Sequence, residues 1–163
     1  MTPLAYRERH RLPTSVVERP QPGRDSTTIG RVGRVKLLLD THVFVWAATG
    51  DRRLPPDAAT LIVDPTNTRT LSAASVWEMS IKATSGRWAE VAPMLDDLDE
   101  ALHDLQTGQL PIDVPAAVAA GRLDWEHRDP FDRMLAAQAA LGGFSLLTVD
   151  RAFDRAGIAL ALS

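Results

Sequence analysis

Two apolar runs in this 163-residue chain end in an aspartate: KLLLD closes on Asp40 and LLTVD closes on Asp150. Parallel strands deliver their C-terminal ends to a common edge of the sheet, where ligands bind. If the two runs are neighbouring strands, their carboxylates emerge side by side. Each Asp also precedes a helical pattern, and an N-cap Asp contributes about 1 kcal/mol, so capping is the plainer reading of either one alone. Two further acids belong with them. Glu78 interrupts the apolar ASVWEM segment, and Asp132 stands in the first turn of the helix introduced by HRDPFDRMLAAQA. Glu78 would otherwise form an i,i+4 pair with Lys82 on an exposed face, and Asp132 would otherwise complement the helix dipole.

Convergence of the four would be costly. At about 6 Å separation and an effective dielectric of about 20, each ionised pair is repulsive by roughly 2 to 3 kcal/mol. Six pairs then rival the roughly 5 to 15 kcal/mol that stabilises an ordinary domain. Such a cluster takes up protons or binds a cation. The chain has no Cys, and His10, His42, His103 and His127 lack the i,i+4 spacing of a zinc-protease helix. Carboxylate and water ligands favour Mg²⁺ or Mn²⁺ over Zn²⁺. A hard dication there would activate water and offset charge on a phosphodiester.

Thr41, His42, Ser75 and Thr148 lie beside these acids and are expected to position waters or phosphate oxygens. His127 and Arg128 are expected to contact an RNA backbone. Trp46 and Trp77 read as packing residues on helix faces; Trp88 and Trp125 remain open to base stacking. Neither G-x-x-x-x-G-K nor G-x-G-x-x-G occurs, so no glycine loop supports nucleotide cradling.

The elements that must position these residues alternate between short apolar runs and helical patterns, as in strands joined by helical crossovers. Strands are expected at 36–40, 69–72, 110–112, 144–149 and 158–162. Helices are expected from Pro55–Pro56 to Val63, from Ala73 to about Ser85, across 91–105 as one acidic helix, at 115–123 and at 129–141. The expectation is an α/β fold around a parallel sheet.

Charge divides the chain. Residues 1–34 hold seven Arg against Glu8, Glu18 and Asp25, whereas residues 35–163 hold 11 Lys and Arg against 18 acids. The head, rich in Pro and Gly and without apolar periodicity, is expected to be disordered, and it reads as a passive tail, an RNA-binding arm or translated DNA upstream of a start near Val32 or Val35. The folded domain is assigned to 35–163. A net charge of -3 and a pI near 5.8 argue against a polybasic coat for nucleic acid. With no Cys, no membrane-length apolar run and no secretory signal pattern, the expected location is the cytoplasm.

Taken in order and spacing, LLLDTHVFVW, SAASVWEMSIKA, HRDPFDRMLAAQA and LLTVDRAFDRAGI resemble the PIN-domain nucleases, and among them the VapC-type toxins of toxin-antitoxin pairs. The resemblance implies a three-layer α/β/α fold and Mg²⁺-dependent (or Mn²⁺-dependent) endoribonuclease activity. It implies as partners an RNA substrate and a cognate antitoxin, and homodimerisation as well. The antitoxin would lay an apolar segment over a groove between the N-terminal helices and push an Arg into the acidic pocket. The family's acids correspond to Asp40, Glu78, Asp132 and Asp150, with Asp40, Asp132 and Asp150 holding the metal and Glu78 orienting or deprotonating the attacking water. Asp129 stands as a substitute for Asp132, and Asp154 for Asp150. Two other readings keep the fold: a phosphatase or phosphoacceptor using Asp40 as nucleophile, and a catalytically silent binding module.

Overall fold

The computed structural model describes residues 34–162. The head expected over residues 1–34 therefore lies, apart from Arg34, outside the described residues. In the rest, four parallel strands form one sheet: β1 (Lys36–Leu39), β2 (Thr68–Ser72), β3 (Thr107–Leu110) and β4 (Ser145–Leu147), in the order β3-β2-β1-β4. The register pairs Leu39 with Leu71 on one side and with Leu147 on the other. The residues that follow, Asp40, Ser72 and Thr148, thus leave the sheet along one C-terminal edge.

The three leucines of β1 are fully buried because the sheet is covered on both faces. Leu37 and Leu39 pack with Val43, Phe44, Ile62, Met79, Met94 and Leu102, whereas Leu38 packs with Leu135, Ala139, Leu146 and Phe153. Successive side chains of a strand point to opposite faces, so one tripeptide anchors both outer layers. One layer holds α1 (Thr41–Thr49), α2 (Pro56–Val63), α3 (Ala73–Thr84), α4 (Ala92–Asp96) and α5 (Leu98–Asp104). The other holds α7 (Pro130–Gly142) and the 3-10 turn at Arg151–Arg155; α6 (Val114–Arg122) packs against α7. The expected three-layer α/β/α architecture is what forms.

Several boundaries differ from expectation. The acidic helix over 91–105 is a 3-10 turn at Ala89–Val91 followed by α4 and α5. Asp97 separates the last two, with φ of -117° and ψ of 34°, and the bend lets Met94 and Leu102 face the same core. β3 lies before Pro111 rather than across it, since a proline has no N–H for the ladder. β4 stops at Leu147, and the expected strand at 158–162 shrinks to a single parallel bridge between Leu160 and Leu146. At the end of α7, Gly143 adopts a left-handed φ of 61°, the conformation a non-glycine C-cap resists.

Candidate active site

Three of the aspartates proposed for the site, Asp40, Asp129 and Asp150, occupy N-cap positions, and their side chains do different things. Asp129, at the start of α7, accepts from the backbone N–H of Phe131 at 2.8 Å and of Asp132 at 3.3 Å. Asp150 accepts from the N–H of Ala152 at 2.8 Å at the start of the last 3-10 turn. Asp40, at the start of α1, makes no side-chain cap bond. Its Oδ2 instead accepts the hydroxyl of Thr148 at 2.6 Å, a bond from the end of β4 to the end of β1. Capping therefore accounts for Asp129 and in part for Asp150, and leaves Asp40 unexplained as a structural device.

Asp40 is only 6% exposed. Burial raises its proton affinity above the usual carboxylate range; the Thr148 hydrogen bond and the charge of His42 oppose that, and the nearby Glu78 carboxylate adds to it. Burial likewise pushes the Asp132 carboxyl up to about 6; the His127 hydrogen bond pulls the other way, and the charges of Asp129 and Asp40 raise it further. Glu78, from α3, thus acts on Asp40 at the end of β1, and Asp40 acts on Asp132, from α7.

Glu78 shows why the surface-pair reading was incomplete. The i,i+4 ion pair with Lys82 exists, but Glu78 is buried, and its other oxygen accepts the Thr41 hydroxyl at 2.7 Å. Ser72, at the N-cap of α3, accepts from the N–H of Ala74 and donates to Gln138 Oε1 at 2.6 Å, fixing α3 against α7. Ser75 is fully buried beside this network, and its hydroxyl has no protein partner.

Of the residues expected at the site, Glu78 acts on Asp40 and Asp40 on Asp132, and Thr41 and Thr148 hold Glu78 and Asp40. Asp150 and Asp154 are exposed and are not among the groups acting on the buried carboxyls. Asp150 is tied to the cluster only through its own N–H, which donates to Thr148 Oγ1 at 3.0 Å. His42 stacks on Trp88 with ring centroids 4.7 Å apart. Trp77 is 56% exposed and packs edge-on against Phe131, with ring centroids 5.2 Å apart. His127, expected at a nucleic-acid backbone, lies 2.6 Å from Asp132 Oδ2. Sequence reasoning missed Arg133 altogether. The available signal was a cation in the first turn of a helix, where the macrodipole disfavours it.

The donor chemistry fits a hard divalent cation: the buried Asp40 and half-buried Asp132 carboxyls with raised proton affinity, the buried Glu78 carboxylate acting on Asp40, and, among the described residues, the buried Ser75 hydroxyl lacking a partner. Among the described residues, no three acids or imidazoles already form a ready-made cage. The fit is therefore to an ion that retains part of its water shell, as Mg²⁺ does.

No curated protein matches the chain. Solved structures share its fold. A chain of VapBC2 from Rickettsia felis, bound to a DNA fragment from their promoter, is 15% identical with a TM-score of 0.55, and the match covers 77% of this chain and 96% of that one. A chain of a toxin-antitoxin complex from Klebsiella pneumoniae is 18% identical with a TM-score of 0.51, covering 73% and 91%. A chain of FitAcB from Neisseria gonorrhoeae is 21% identical with a TM-score of 0.51, covering 76% and 95%. The PIN domain model matches residues 37–159, a span that runs through all four strands and holds all four acids, so this chain belongs to the PIN domain family.

Proposed function

We propose that the protein is a metal-dependent endoribonuclease that acts as the toxin of a toxin-antitoxin pair, using Mg²⁺ or Mn²⁺. The observation that carries this reading is the buried Asp40 at the C-terminal end of β1, free of capping duty and coupled to Asp132 and Glu78. Asp40 and Asp132 would hold the ion, with Asp150 completing the set from the adjacent strand end. When bound, the ion supplies a water activated near neutral pH and offsets charge on the phosphodiester. Glu78, its Oε2 held by Thr41 and its Oε1 by Lys82, would orient that water and take its proton. Thr148 keeps one oxygen of Asp40 occupied, directing the other to the ion.

The antitoxin reading draws support from an apolar groove of about 250 Å³ lined by Ala74, Trp77, Ile112, Ala117, Ala120, Gly121, Pro130, Phe131, Arg133 and Met134. It lies between α3, α6 and α7. Trp77 and Phe131 in its lining are the sequence neighbours of Glu78 and Asp132. A partner segment with apolar residues followed by an Arg would fill both the groove and the acidic pocket. One of the neighbours named above is a chain of a toxin-antitoxin complex, which agrees with such a partner. Homodimerisation and a cytoplasmic site of action belong to the same proposal; among the described residues no helix is long and apolar enough to cross a membrane.

The test is a mixed RNA pool incubated with the purified protein and Mg²⁺, Mn²⁺ or EDTA, alongside Asp40→Asn and Asp132→Asn. Cleavage that needs the metal and both carboxylates, with no phosphoenzyme trapped, supports the reading. Equal cleavage by the variants, or none by the wild type, overturns it. Co-expression with the product of the neighbouring gene should relieve growth arrest, and equal arrest in both cases would remove the antitoxin.

A further inference from the structure

The loop between α6 and α7 carries no regular structure over residues 123–129, yet a single side chain organises it. The Arg133 guanidinium donates from Nε to the carbonyl of Ala120 at 2.9 Å, from Nη1 to Trp125 at 2.8 Å and His127 at 3.0 Å, and from Nη2 to Leu123 at 2.7 Å. These are four backbone acceptors, one in the last turn of α6 and three in the loop. Among the described residues no carboxylate pairs with it. The planar fork of an arginine can span such a set, and the ammonium of a lysine cannot.

The bond to the His127 carbonyl matters most, because the imidazole of His127 reaches Asp132 Oδ2 at 2.6 Å. The same ring lies 4.6 Å from that of Trp125, which in turn packs on the buried Phe153. The imidazole is thus fixed from its backbone side by Arg133 and from its ring face by Trp125. With Nε2–H donating to Oδ2, that oxygen is occupied and Oδ1 remains available, which is what Thr148 does for Asp40 on the other side of the pocket.

We propose that His127 is a positioning residue for Asp132, held in place by the Arg133 clamp on the 123–128 loop, so that one carboxylate oxygen of Asp132 is presented to the ion-binding pocket. This assignment rests on the proposed metal-dependent function for its consequence, but the clamp itself is a property of the metal-free protein. Partners that orient a metal ligand typically change metal affinity by about 10- to 100-fold when removed.

The experiment combines a metal readout with one that needs no metal. Mn²⁺ is titrated against the melting temperature of the full-length wild type, His127→Ala, His127→Gln, Arg133→Lys and the His127→Ala/Arg133→Lys double variant. The Mn²⁺ midpoint should weaken by about 10- to 100-fold in His127→Ala, recover largely in His127→Gln, whose amide can still donate, and weaken in Arg133→Lys. The double variant should be no worse than His127→Ala within about twofold, because the two act in series. In parallel, long-range ¹H–¹⁵N spectra of the metal-free protein should show His127 protonated at Nε2 in the wild type and shifted to free-imidazole values in Arg133→Lys. An unchanged Mn²⁺ midpoint in His127→Ala, additive effects in the double variant, or an imidazole signal indifferent to Arg133→Lys overturns the proposal. A wild type that shows no Mn²⁺ response while its imidazole signals behave as expected overturns the metal-dependent function and leaves the clamp standing.

Discussion

Replacing Asp132 by Asn should make the metal-free protein more stable while abolishing its chemistry. The Asp132 carboxyl is pushed up to about 6 in the folded protein, chiefly by burial, from an ordinary value of 3.8. A folded-state value above the unfolded one means that the protonated group favours folding. That contribution is full below about pH 4 and is lost as pH rises through 6. At pH 7.5 the folded state must therefore carry a charge it disfavours. Two units at about 1.4 kcal/mol each would cost roughly 3 kcal/mol. The side chain is still 20% exposed, so solvent screening reduces this to about 1 to 2 kcal/mol. Asn removes the charge and can still accept from His127 through its amide oxygen. The expected gain is about 1 kcal/mol at pH 7.5, or roughly 2 to 4 °C in melting temperature for a chain of this size. The gain should shrink as pH falls towards 4, where the folded wild-type carboxyl is protonated and the unfolded one about half so. Differential scanning fluorimetry across pH 4 to 8 in EDTA reads this out, and added Mn²⁺ should raise the wild type but not the variant. An Asp132→Asn protein that melts lower than wild type at pH 7.5 in EDTA would refute the electrostatic reasoning.

Other expectations follow from the same contacts. Asp129→Ala should lose about 1 kcal/mol in urea denaturation, as removal of an N-cap does, yet keep RNA cleavage within a few-fold. Asp150→Asn should melt like wild type, because Asn caps as well as Asp, yet cleave poorly, which separates its capping role from a metal-binding one. Thr148→Val removes the hydroxyl bonded to Asp40 and should cost about 1 kcal/mol of stability along with roughly tenfold or more in the metal midpoint. Lys82→Met leaves Glu78 buried with only Thr41 as partner and should destabilise by about 1 to 3 kcal/mol, measured by chemical denaturation at pH 7.

The layered fold was legible because its signal is local. Three consecutive leucines before Asp40 admit a strand covered on both faces and little else, and Pro56, Gly86 and Gly143 mark helix boundaries by backbone restrictions that act within a few residues. The acidic segment at 91–105 misled because its helical pattern is also local, whereas the bend at Asp97 is set by two apolar residues reaching one distant core. The acids of the site were legible as residues but not as roles. Asp40, Asp129 and Asp150 all stand at N-cap positions, and only tertiary structure shows that the first bonds to Thr148 while the other two cap. Lys82 four residues after Glu78 looked like a surface pair, since sequence spacing reports a shared helix face and not what covers it. The His127 contact with Asp132 spans five residues across a helix start, and no periodicity predicts it.

The central claim is that Asp40 and Asp132, from different layers of the chain, form one cation site. A crystal soaked in Mn²⁺ and examined by anomalous scattering tests it most directly. The account predicts an anomalous peak in the pocket within about 2.0 to 2.3 Å of a carboxylate oxygen of each, the usual range for small hard dications, and no such peak in Asp132→Asn. A wild-type map with no peak there, or with the ion held elsewhere by other acids, would contradict it.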